Sequence, residues 1–137
     1  MGHNLLEGTL NLGSLPPSLK TLLARENSFT TLIVAPHPSL LYLNMRYNQL
    51  TSVINFSKID RYLTQLYRLE LSHNQISQEI TDVKSLPRRP QQVLLNSNLL
   101  YGDPIKWLLS VPADHQLDIL DNPGLHRLKT NTYCSIC

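Results

Sequence analysis

The feature that most constrains this chain is an asparagine that recurs every 21 to 26 residues behind the same pair of apolar positions. The five asparagines are Asn27, Asn48, Asn74, Asn98 and Asn122. The residues five positions before them are Leu22, Leu43, Leu69, Val93 and Leu117, and those three positions before them are Ala24, Met45, Leu71, Leu95 and Ile119. A period of this length indicates one small structural unit stacked several times along the chain.

Each unit has the alternation of a short β-strand. Two apolar residues separated by one position point to the same side of a strand, so both are expected in the core. The asparagine follows where the chain must turn, and its amide can hydrogen bond to backbone groups that the turn leaves unpaired. We therefore expect the five asparagines to stack in one column. Replacing the central Asn74 with alanine should cost about 1–3 kcal/mol.

Two units, Leu40–Leu50 and Leu66–Ile76, follow the pattern L-x-x-L-x-L-x-x-N-x-L closely. This pattern resembles the leucine-rich-repeat signature and covers nearly the whole chain. It extends from a shortened opening strand at Leu10–Leu12 to a degenerate last unit at Leu117–Leu125. The resemblance implies an α/β solenoid with a concave parallel sheet and helical or irregular segments on the convex side.

Residues 1–125 are accordingly assigned to the repeat domain and residues 126–137 to a C-terminal tail. Three segments between the strands have the apolar spacing of short helices that pack by one face. Ser57 is the expected cap of the first, and Asp103, followed by proline, is the expected cap of another. A further helix is predicted within Ser77–Leu86. Trp107 is expected in the core.

The composition is that of an ordinary globular domain, with 42% hydrophobic and 16% charged residues and a net charge of +2. That balance gives no reason to expect a nucleic-acid partner. The five histidines show no metal-ligand spacing, and the 5 glycines form no phosphate-binding loop. No apolar run approaches the ~20 residues of a membrane-spanning helix, and the N-terminus lacks the pattern of a secretory signal. We expect a non-enzymatic protein without metal or cofactor.

Side chains that alternate with the core positions are expected to project from the concave face. Tyrosine and arginine, which dominate protein–protein hot spots, gather there in the first three units. The candidate partner-binding residues are Tyr42, Arg46, Tyr47, Arg68, Glu70 and His73. These residues predict a protein partner with an acidic or carboxylate-rich surface. The alternative is that they are scattered surface residues of a solvated sheet.

The tail Cys134–Cys137 resembles a C-a-a-X prenylation box, in which Cys134 is the lipid acceptor. Segment Leu15–Leu22 resembles the Leu-Pro motif of repeat proteins that bacteria inject into eukaryotic cells. Together the two resemblances imply an effector secreted into a host cell, prenylated by a host prenyltransferase and held peripherally on host membranes.

Other interpretations of the tail stay open. Two cysteines at C-x-x-C spacing also occur in metal sites and disulfides, although a structural zinc site needs four ligands. The basic residues upstream, Arg127 and Lys129, are few, so a single lipid would anchor the chain weakly and reversibly. The main alternative is a soluble intracellular scaffold or regulatory subunit whose tail is inert.

Overall fold

A computed structural model describes residues 5–82 and 86–125, and over these ranges the chain is an α/β protein with parallel sheets. The elements in chain order are β1 (Glu7–Asn11), a 3₁₀ turn (Leu12–Ser14), β2 (Thr21–Leu23), β3 (Ser28–Ile33), β4 (Tyr42–Asn44), α1 (Phe56–Tyr62), β5 (Arg68–Glu70), β6 (Gln92–Leu94), β7 (Tyr101–Gly102), α2 (Ile105–Ser110), β8 (Gln116–Asp118) and β9 (Gly124–Leu125). Neither helix in the described ranges is long and apolar enough to cross a membrane.

The largest sheet contains five parallel strands in the order β2-β4-β5-β6-β8. Each strand pairs with the next one in this order without a register shift, so the central apolar residues face one another across the whole sheet. The aligned central residues are Leu22, Leu43, Leu69, Val93 and Leu117. All five are buried, because strand alternation turns them to the same side. The prediction of an α/β fold with a parallel sheet is confirmed.

The hydrophobic core lies on that side of the sheet. The second predicted apolar column, formed by the residue directly after each strand, is completely buried from Ala24 to Ile119. Trp107 of α2 is also completely buried and meets Phe56 of α1 edge to face, with 5.7 Å between ring centroids. Its indole Nε1 donates a hydrogen bond to the Asp82 carbonyl oxygen at 2.9 Å. Trp107 is therefore a core residue, as predicted.

The asparagines after the strands are buried and bridge neighbouring units. Asn74 is representative: its Oδ1 accepts a hydrogen bond from the Leu50 N–H at 2.9 Å. Its Nδ2 donates to the carbonyl oxygens of Met45 and Leu71, both at 3.0 Å. One side chain thus bonds to the backbone of its own unit and of the preceding one. Asn48, Asn98 and Asn122 make the equivalent contacts.

The residue before each asparagine has a left-handed backbone, with φ between 56° and 58°. These residues are Glu26, Tyr47, His73, Ser97 and Asp121. A glycine would adopt this conformation without strain, whereas a residue with a Cβ adopts it only when its surroundings hold it there. Each of the first four donates its backbone N–H to a carbonyl of the following unit, at 3.0–3.2 Å.

The predicted cap of the first helix is wrong by two residues. Helix α1 begins at Phe56, and the Asn55 Oδ1 accepts the backbone N–H of Lys58 at 3.1 Å. Ser57 lies within the helix and donates its hydroxyl to the same Asn55 Oδ1. Both residue types favour N-caps, and here the amide oxygen of the earlier residue reaches the unpaired N–H.

The other helix predictions also need correction. Helix α2 begins one residue later than expected, and the Asp103 Oδ1 accepts the Ile105 N–H at 3.1 Å. No helix forms over residues 77–82. There the Gln78 side-chain amide accepts the Ile54 N–H and donates to the Ile54 carbonyl oxygen, while Glu79 forms a parallel bridge with Tyr101. These bonds to neighbouring units hold the segment extended, in spite of its helical apolar spacing.

The opening strand is longer than the predicted Leu10–Leu12 and belongs to a separate two-stranded sheet. Strand β1 pairs in parallel with β3, which directly follows Asn27, and not with the five-stranded sheet. Strands β7 and β9 form a third small parallel sheet in the units after Asn98 and Asn122. The strand predicted at Leu10–Leu12 is therefore present, but it runs from Glu7 to Asn11 and pairs with β3.

Candidate functional site

An ion network occupies the side of the main sheet opposite the core. The register of β4 and β5 sets Tyr42 opposite Arg68 and Asn44 opposite Glu70. Glu70 lies at the centre: its Oε1 accepts from Arg46 Nη1 at 3.1 Å, and its Oε2 from Arg68 Nη2 at 3.3 Å. The Tyr42 hydroxyl also donates to Oε2, at 3.0 Å. Three donors from two neighbouring units therefore converge on one carboxylate.

Glu70 was expected at the surface, and the structure corrects this. Its side chain is only 3% exposed, because the two arginines and the tyrosine cover it. Asn44 and Ser72, also expected to project outward, are buried as well. Glu70 therefore orders the side chains around it and presents no carboxylate to a partner. It also neutralises one of the two guanidinium charges.

The exposed part of this surface centres on two stacked rings. The Tyr47 and His73 rings are 4.3 Å apart between centroids and tilted by 14°. The Arg46 guanidinium carbon lies 4.9 Å from the Tyr47 ring centroid. Both ring residues have the left-handed backbone described above, which brings them into register on adjacent units. The sheet thus assembles an aromatic pair and a cation into one preformed surface.

Tyr42 is held in its neutral form. Its pKa is raised above 10.0, first by burial and then by the hydrogen bond to Glu70 and the charge of that carboxylate. The Asn44 hydrogen bond and the charge of Arg68 oppose the rise. The network therefore contains a tyrosine that resists ionisation, as expected for a phenol that donates to a buried carboxylate.

The raised pKa predicts an alkaline loss of stability. Below pH 10 the tyrosine is neutral in both the folded and the unfolded chain, so its contribution to folding is complete. Above that pH the unfolded chain ionises first, and the free energy of unfolding falls as pH rises through the folded pKa. Tyr42→Phe should reduce this fall when urea unfolding is compared at about pH 9 and about pH 11. An equal fall in both proteins would contradict the assignment.

A pocket of about 730 Å³ opens beside the ion network, at positions that the repeat pattern does not indicate. Its lining residues are Leu41, Tyr42, Gln65, Tyr67, Arg68 and Gln92. Leu41 and Tyr67 immediately precede β4 and β5, outside the strand positions used to select candidates. Both large side chains stand seven positions before the asparagine of their unit, and both remain exposed.

Over residues 5–82 and 86–125, no group of three or more histidine, cysteine, aspartate or glutamate residues is placed to hold a metal ion. The proposed lipid acceptor Cys134 and the whole tail 126–137 lie outside the described residues.

Comparison with known proteins gave no relatives: the chain matches no protein-family model and no curated protein.

Proposed function

We propose that the chain is a leucine-rich-repeat solenoid that binds a partner protein and catalyses no reaction. The solenoid part is supported by five parallel strands that follow the order of the sequence in one register. It is also supported by the buried asparagine side chains that link each unit to the preceding one. Stacked repeats depend on such contacts between nearest neighbours, since a single unit cannot bury its apolar face alone.

The observation that carries the binding function is the exposed stack of Tyr47 on His73 with Arg46 beside it. Tyrosine and arginine are the residue types that contribute most at protein–protein interfaces. Their side chains are held in place before a partner arrives, which lowers the entropy lost on binding. Tyr42 and Arg68 extend the same surface along the sheet. Glu70 belongs to it as the buried counterion that orders the two arginines.

The partner is proposed to present an acidic surface. Arg46 and Arg68 are each about one-third exposed, and the single carboxylate between them leaves one positive charge uncompensated. A carboxylate from outside can accept a charge-assisted hydrogen bond from either guanidinium. Complementary charge of this kind accelerates association and excludes partners that carry like charge.

Alanine substitution tests the proposed surface. Tyr47→Ala and Arg46→Ala should each cost at least about 1 kcal/mol of binding free energy, measured by calorimetry with an isolated partner. Lys58→Ala, an exposed position of α1, is the matched control and should cost little. Tyr47→Ala is the cleaner variant, since Arg46→Ala also removes a donor from Glu70. Losses that map instead to α1 or to the Asp118 end of the sheet would show that the proposed surface is wrong.

Membrane attachment is a separate part of the proposal, and its support is the Cys134–Cys137 motif alone. If this binding module is an effector that a host cell prenylates, Cys134→Ser should abolish its recovery with membranes in cells that contain prenyltransferases. Cys137→Ser is the matched control, because serine is a favoured last residue of the motif. Thermal stability should be the same in all three proteins. Equal membrane recovery of wild type and Cys134→Ser would favour the soluble scaffold or regulatory subunit.

A further inference from the structure

We infer that the pocket beside β4, β5 and β6 receives a large apolar side chain of the partner, carried on a segment whose neighbouring carboxylate binds Arg68. This rests on the proposed function, because it takes the ligand to be a protein. It adds the pocket as a second contact region and specifies the partner residues that bind there, a large apolar side chain and a neighbouring carboxylate.

The pocket has the size and lining for an anchor residue. Leu41, Tyr42 and Tyr67 supply apolar surface, and the side-chain amides of Gln65 and Gln92 supply donors and acceptors for peptide groups. A volume of about 730 Å³ lies within the range that holds a drug-sized ligand. One large side chain together with its adjoining backbone fits such a space.

The pocket is open, and this favours a protein segment over a free small molecule. Leu41 is 37% exposed and Tyr67 is 50% exposed, although both line the pocket. A small ligand would keep much of its surface in water there, whereas established small-molecule sites bury ~70–90% of their ligand. A partner protein covers the open side with its own surface and removes Leu41 and Tyr67 from water.

Arg68 supplies the charge preference, because it belongs to both the pocket wall and the ion network. None of the six lining residues is acidic, and the nearby Glu70 carboxylate already accepts from Arg46, Arg68 and Tyr42. Because the two guanidinium groups share this one carboxylate, one positive charge is left over, and the Arg68 side chain is 38% exposed. A second carboxylate beside the exposed part of Arg68 would balance that charge.

The position of the pocket joins it to the surface around Tyr47. The pocket lies at the residues that begin the strands, and the Tyr47–His73 stack lies just after the strands end. The five residue steps from Tyr42 to Tyr47 span at most about 17 Å at the rise of a β-strand. A single extended segment of the partner can therefore reach both regions, with its carboxylate between them.

A selection from a displayed library of short random peptides on the immobilised full chain tests the inference. The enriched peptides should share a large apolar residue close to an aspartate or glutamate. A synthetic copy of one of them should bind at least about tenfold more weakly to Tyr67→Ser, because an anchor contact is lost. The same peptide with its acidic residue changed to the corresponding amide should bind wild-type protein more weakly to a similar degree.

Tyr101→Ser is the matched control, since this tyrosine in β7 is 45% exposed and lies outside the pocket. It should bind the peptide with unchanged affinity. Leu41→Ser provides a second pocket variant if circular dichroism shows that Tyr67→Ser does not fold.

Other results of the selection would contradict the pocket assignment, the carboxylate preference or the proposed function. Peptides that need Tyr47 but are indifferent to Tyr67 and Leu41 would overturn the pocket assignment and leave the proposed function standing. Enriched peptides that are basic, or that bind equally well as the amide, would overturn the carboxylate preference. A selection without enrichment would count against both the pocket and the proposed function.

Discussion

Asn74→Ala is expected to lower the free energy of unfolding by about 3 kcal/mol, at the upper end of the range for an unpaired buried polar group. The substitution removes the acceptor of the Leu50 N–H and the donor to the carbonyl oxygens of Met45 and Leu71. These backbone groups are buried, so water cannot replace the lost bonds without entering the core. Urea unfolding should show a lower midpoint and an unchanged dependence on urea concentration.

Asn55→Ala is the matched control for this prediction. Asn55 is exposed and caps α1 with one hydrogen bond to the Lys58 N–H, so its loss should cost only about 1 kcal/mol. If Asn74→Ala were no more damaging than Asn55→Ala, the buried amide would not be what links one unit to the next.

Glu70→Gln is expected to destabilise the protein by about 2 kcal/mol, because it leaves two guanidinium groups next to each other without their counterion. The value is below that for a fully buried pair, since Arg46 and Arg68 are each about one-third exposed and water screens part of their repulsion. Added salt should reduce the loss for the same reason. Urea unfolding at low and high ionic strength measures both effects.

Removing one arginine as well should restore part of the lost stability. In a double-mutant cycle, Arg68→Gln should cost less in the Glu70→Gln background than in wild type, with a coupling of about 1 kcal/mol. Glu79→Gln is the matched control, because Glu79 is exposed, and it should change stability by less than about 0.5 kcal/mol. Strictly additive costs for Glu70 and Arg68 would contradict the proposed role of the network.

The sheet and the core were predictable because their cause is local. Leu43 and Met45 alternate with polar positions, and this alternation alone decides which side of a strand faces the core. The asparagines were equally visible, since a buried backbone turn requires a partner for its polar groups. These signals recur in every unit, so no knowledge of distant contacts was needed.

The burial of Glu70 was not predictable from its position. A glutamate at an outward position of a strand is normally exposed, and only the register of β4 against β5 adds Tyr42 and Arg46 to the Arg68 of its own strand. The pocket was missed for a related reason. Leu41 and Tyr67 belong to the connections before the strands, and they meet only when adjacent units stack.

At the left-handed residue before each asparagine, the hydrogen bonds that hold the backbone do not involve the side chain of that residue. The backbone at Tyr47 and His73 is held by N–H bonds to the Ser72 and Asn96 carbonyl oxygens and by the asparagine that follows. Their side chains take no part in those bonds. The corresponding positions of the other three units carry an acid, a hydroxyl and an acid. Selection can therefore exchange one side chain per unit, and so alter what the protein recognises, without disturbing the core or the asparagine column.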